Sequence, residues 1–189
     1  MCRRFHAALR TILMLAALLA CANSASAQDA QLWDSVKRGG YVLLVRHAAT
    51  PLTKAPVRSS RGGCVLERDL TDAGQLLAQR LGVAFRAHGV PVARVVSSPP
   101  CPSVETAQIA FGKSEPWADP DPSGDSRTRL VRNVNALASQ TPADENLIVV
   151  ADKLAISDLT DRTVSAGDVL VLKRSGEQFD VQGLLSAVP

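Results

Sequence analysis

An apolar run in the stretch YVLLVRHAAT, residues 41–50, stops at two potential cations, Arg46 and His47. A neutral imidazole is a nucleophile at neutral pH, and a guanidinium beside it can hold an anionic oxygen pair through parallel hydrogen bonds. The preceding residues, Tyr41 to Val45, are rich in valine and leucine and lack turn formers. They predict a strand covered on both faces in a parallel sheet. Ligands of open α/β sheets bind at the C-terminal ends of the strands, so Arg46 and His47 stand where an anion site belongs.

Other residues able to do chemistry fall around this pair. A Pro-, Gly- and Arg-rich loop over residues 48–68 carries Lys54, Arg58, Arg61, Cys64, Glu67 and Arg68. Its cations are read first as solvated loop charges, and Glu67 with Arg68 first as a solvated pair on the loop and second as a pair that could fold over the pocket. Asp152 ends the apolar run NLIVVAD. His88 precedes the helix-ending Gly89 and is read as a cation facing the helix dipole. Trp33 and Trp117 are read as packing residues.

The elements that must position these groups alternate. Thr71 is a good N-cap for TDAGQLLAQRLGVAFRAHGV, where Leu77, Leu81, Ala84 and Phe85 recur at helical spacing before Gly89 and Pro91. VARVVSSP predicts a second strand, SVETAQIAFG a helix stopped by Gly112, and residues 113–125 a loop. SRTRLVRNVNALASQ predicts a helix, NLIVVAD a third buried strand and LAISDLT a short helix. DVLVLKR and QFDVQGLL predict two closing strands around a turn at Ser175 and Gly176. Such alternation predicts one layered α/β domain with a mostly parallel central sheet.

The N-terminal 27 residues are read apart from that domain. Arg3, Arg4 and Arg10, a short apolar core and the Ala25-Ser26-Ala27 site make a secretory signal, giving a single domain over 28–189. A rival reading places lipidated Cys21 at the mature N-terminus. The apolar core is too short for a membrane span of about 20 residues. The expected location is the periplasm or the exterior, where Cys64 and Cys101 could pair or stay as small unpaired residues. Removing the signal takes three of 21 basic residues and none of 18 acidic ones, leaving 18 of each. A mature chain near neutrality gives no electrostatic case for nucleic acid.

In order, VLLVRHAAT, LTDAG at a helix start, and a strand leading into SSPPCPSVETA resemble the histidine phosphatase superfamily, the phosphoglycerate mutase-like fold. The resemblance spans about Tyr41 to Leu185. It implies a three-layer α/β/α sandwich, His47 as the residue that becomes phosphohistidine, Arg46 as a phosphoryl ligand, a small phosphorylated or other anionic ligand, and no metal or organic cofactor.

Two positions depart from the family pattern. The family stretch SSPxxRxxET would place a second arginine where this chain has Pro102, and the family's second histidine, just after the third buried strand, falls where this chain has Asp152. Charge-assisted hydrogen bonds contribute about 1.5 to 3 kcal/mol each. A carboxylate about 4 Å from a phosphate charge repels it by about 4 kcal/mol at an effective dielectric near 20. The expectation is an incomplete phosphate pocket with weak or absent phosphomonoesterase activity. The alternative is an active periplasmic phosphatase on a sugar phosphate or envelope phosphomonoester, with His47 as nucleophile. In either case Glu67 or Asp152 is the carboxyl able to act as general acid.

Overall fold

The computed structural model describes residues 28–51, 69–117 and 125–186. Six strands form one sheet in the order β3-β2-β4-β1-β5-β6. They are β1 (Val42–Arg46), β2 (Val92–Ser97), β3 (Glu115–Pro116), β4 (Asn146–Ala151), β5 (Val169–Ser175) and β6 (Gln178–Leu185). Pairings β1–β4, β4–β2 and β2–β3 are parallel, whereas β1–β5 and β5–β6 are antiparallel. The sheet is therefore mostly parallel with an antiparallel hairpin along one edge.

Helices cover both faces because the strand residues alternate between two cores. Leu43, Val45, Val95, Ile148, Val150, Val169 and Val171 pack toward α1 (28–36), α2 (Asp72–Ala87) and α3 (Cys101–Phe111). Val42, Leu44, Val96, Leu147, Val149, Leu170 and Leu172 pack toward α4 (Ser126–Ser139) and α5 (Lys153–Thr160). All six residues of β4 are buried. This is the expected three-layer α/β/α sandwich.

The helix caps follow local chemistry. Thr71 caps α2 by accepting from the Gly74 amide at 3.0 Å, and Asp125 caps α4 by accepting from Thr128 at 3.0 Å. That amide bond, with the Thr128 hydroxyl, draws the Asp125 carboxyl below the ordinary carboxylate range. α4 and α5 are joined at the surface by a two-pronged ion pair, Arg127 to Asp161, at 2.7 and 2.8 Å. α2 and α3 approach closely through Gly82, where a Cβ would overlap the Ala110 carbonyl oxygen.

Two elements depart from the sequence expectation. Residues 28–36 form α1, to which no element was assigned; Leu32 and Trp33 dock on the α2 and β6 side of the core. Within the expected loop 113–125, Glu115 and Pro116 form an edge strand, held by the Arg94–Glu115 ion pair at 2.6 Å. Proline is compatible with that place because an edge strand can leave one N–H position unused. His88 does sit at the end of α2, yet its ring lies flat on Trp33, with centroids 4.1 Å apart. Trp33 also meets Phe85 edge-on at 5.5 Å. Trp117 packs on the α4 face of the sheet.

Asn146, fully buried, ties together three segments distant in sequence. Its Nδ2 donates to the Val36 and Pro91 carbonyls, each at 2.8 Å, and its Oδ1 accepts from the Tyr41 amide at 3.1 Å. Asn146→Ala leaves the Tyr41 amide without its acceptor, while the Val36 and Pro91 carbonyls keep only the Gly39 and residue-146 amides. The expected cost is about 1 to 3 kcal/mol, read as a lower urea midpoint at unchanged m-value. A loss below about 0.5 kcal/mol would show that water replaces the amide at no cost.

Candidate active site

Register brings the chemical residues together. β1 pairs with β4 so that Arg46 lies opposite Ala151, and the His47 amide donates to the Ala151 carbonyl at 3.0 Å. His47 and Asp152 are thus neighbours just beyond the ends of adjacent parallel strands. β2 completes the edge on the other side of β4, where the Ser98 amide donates to the Val150 carbonyl at 2.9 Å.

His47 is half-buried, and its Nδ1 lies 2.8 Å from the Ala48 carbonyl oxygen. A carbonyl only accepts, so Nδ1 carries the hydrogen, and in the neutral ring the lone pair is on Nε2. The bond selects the nucleophilic atom. Arg46, also half-buried, donates from Nη1 to the Val164 carbonyl, and its Nε is buried without a partner among the described residues. An unpaired charged donor of this kind favours an incoming oxyanion.

The segment after His47 is held by the helices around it. The Ala48 amide donates to the Thr106 hydroxyl at 2.9 Å, and that hydroxyl donates to the Pro102 carbonyl at 2.7 Å. The Thr71 amide donates to the Ala49 carbonyl at 3.1 Å. Gly74 lets α2 sit there at all, because a Cβ at that position would overlap the Ala49 carbonyl oxygen. Glu105 accepts from the Leu70 amide at 3.1 Å, joining α3 to the start of α2. Beneath them, the buried Ser98 hydroxyl donates to Ser103 at 2.8 Å.

Pro102 lies in the first turn of α3, buried, after the N-cap Pro100, which makes no side-chain cap. Both prolines lack an N–H, so this helix start offers fewer backbone donors to an anion, and Pro102 carries no charge. Asp152 is the N-cap of α5: its Oδ1 accepts from the Leu154 and Ala155 amides at 2.8 and 3.0 Å. The carboxylate occupies the helix end that an anionic ligand would otherwise use.

Glu67, Arg68, Lys54, Arg58, Arg61 and Cys64 lie outside the described residues. Cys101 is disulfide-bonded, and its partner also lies outside them. Among the described residues, no cluster of three His, Cys, Asp or Glu side chains could hold a metal ion, and no helix is long and apolar enough to cross a membrane. In the sequence Glu105 and Thr106 stand out only as the last two residues of SSPPCPSVET. Their partners are 35 and 58 positions away, a separation that composition and periodicity do not bridge.

The Thr106 bridge generates a direct test. Thr106→Val keeps the shape of the side chain but strips the Ala48 amide of its acceptor, at an expected cost of about 1 to 3 kcal/mol. The His47 ring signals in an NMR spectrum should shift with it, because the loss sits one residue away. Unchanged ring signals together with unchanged stability would mean that Thr106 does not hold the His47 segment.

No protein-family model and no curated protein matches the sequence. Solved structures do match in shape. The protein histidine phosphatase SixA, complexed with tungstate, aligns with a TM-score of 0.58 at 15% identity, over 78% of this chain and 97% of that one. YhfR of Bacillus stearothermophilus aligns with a TM-score of 0.58 at 17% identity, over 79% and 99%. A phosphoserine phosphatase of Entamoeba histolytica, in complex with 3-phosphoglyceric acid, aligns with a TM-score of 0.54 at 14% identity, over 77% and 96%. These likenesses show that the chain has the histidine phosphatase, or phosphoglycerate mutase-like, fold.

Proposed function

We propose that the chain is an exported phosphomonoesterase with a degenerate phosphate pocket and weak turnover. The observation that carries this reading is the His47 Nδ1 bond to the Ala48 carbonyl, which leaves Nε2 as the nucleophilic atom beside Arg46. In the proposed cycle Nε2 forms a bond to phosphorus as the ester P–O bond breaks, and the leaving oxygen takes a proton from solvent. Water then attacks phosphorus, the N–P bond breaks, and inorganic phosphate leaves with His47 restored.

Two features argue for slow chemistry. Pro102 supplies neither a guanidinium nor an N–H, and Asp152 places a carboxylate beside the phosphoryl position. An aryl phosphate, whose leaving group needs little protonation, should therefore be hydrolysed faster than an alkyl phosphate. Export rests on residues 1–27, and a mature N-terminus at Gln28, read by mass spectrometry of the exported chain, supports it; a lipidated Cys21 would instead mark an anchored protein.

The decisive experiment is hydrolysis of p-nitrophenyl phosphate by the purified mature chain, His47→Ala and the double variant Pro102→Arg with Asp152→His. Wild type should turn over slowly, His47→Ala should fall to the buffer rate, and the double variant should gain about 100-fold or more in kcat/KM, the order expected from restoring two charge-assisted contacts. Wild-type and double-variant rates both equal to buffer would remove the phosphatase reading. A wild-type rate that survives His47→Ala would remove the nucleophile.

A further inference from the structure

We infer that the site selects phosphomonoesters carrying an ammonium group close to the phosphate, with Asp152 as the specificity-determining residue. This rests on the phosphate-site reading of Arg46 and His47 and names the class of ligand that site takes. The strand register sets Asp152 beside His47 at the same edge of the sheet. Its carboxylate is anchored there, because Oδ1 accepts from both the Leu154 and Ala155 amides. Its side chain makes no other hydrogen bond among the described residues, so Oδ2 is the oxygen that can accept from a ligand.

The charges of the edge are therefore paired in kind. Arg46 presents a cation with a buried, unpartnered Nε, and Asp152 presents a fixed anion. A simple phosphate dianion gains from the first and is repelled by the second. A ligand with an ammonium a few bonds from its phosphate matches both, the phosphoryl oxygens toward Arg46 and His47 and the ammonium toward Asp152. Capping alone does not require the charge, since Asn, Ser and Thr cap helices about as well. The carboxylate thus adds to the cap a feature that discriminates among ligands.

The test compares ethyl phosphate with 2-aminoethyl phosphate as competitive inhibitors of p-nitrophenyl phosphate hydrolysis, at neutral pH with EDTA present. The wild-type chain should bind the amino compound about tenfold more tightly, the effect of one well-placed ion pair worth about 1.4 kcal/mol. Asp152→Asn keeps a capping side chain and should keep the unfolding midpoint, while the two inhibition constants converge. Equal constants in the wild type, or a preference that survives Asp152→Asn, would overturn the inference. So would a carboxylate effect seen only on adding Mg²⁺, since that would assign Asp152 to a metal–phosphate complex. Isothermal titration of the same two compounds into the His47→Ala chain reads binding without turnover. A silent hydrolysis assay therefore counts against the phosphatase reading alone, and the ratio of titrated affinities still decides this one: selective binding supports it, and equal or no binding overturns it.

Discussion

The parallel pairing of β1 on β4 is the constraint on which the site depends. Both strands are covered on two faces, and alternate residues enter two different cores, so a slip of one residue would exchange every core side chain with its opposite. The penalty for exchange fixes Arg46 opposite Ala151. From that single register follow the His47 bond to Ala151 and the neighbourhood of His47 and Asp152. Hydrophobic burial, which is not directional, is here converted into the placement of polar atoms by a pleat with a two-residue period.

Around that register the helices act as fixed walls. Three helix starts converge on the strand ends, and each treats its free amide groups differently. α2 is capped by Thr71 and drawn onto Ala49 through Gly74. α3 begins with prolines at 100 and 102, which remove donors. α5 hands two of its amides to Asp152. All three helix starts thus have donors withheld or occupied, by Thr71, by the prolines and by Asp152. The strand edge is thus shaped by backbone donors as much as by side-chain charge. The Nδ1 bond that orients His47 is local, made to the carbonyl of the next residue.

The alternation of strands and helices was legible because each element carries its own period: β-branched runs for the strands, and Leu77, Leu81 and Phe85 at helical spacing for α2. α1 and β3 were not. The first is short and joins the domain only by docking Leu32 and Trp33 on the core. The second is two residues long and exists through pairing with β2. Elements whose stability comes from partners rather than from local pattern leave little trace in a linear reading.

The sequence by itself determined the layered α/β class, the position of Arg46 and His47 after a buried strand, the Thr71 cap, and the two substitutions Pro102 and Asp152, because residue type and spacing suffice for each. Only the tertiary structure decided which nitrogen of His47 faces the Ala48 carbonyl, that Thr106 carries the Ala48 amide, that Asp152 is held as a helix cap, and that Asn146 binds three segments into one base. These are hydrogen bonds, whose strength depends on distance and direction between atoms. Those distances exist only after burial has brought residues 48 and 106, or 36, 41, 91 and 146, to the same place.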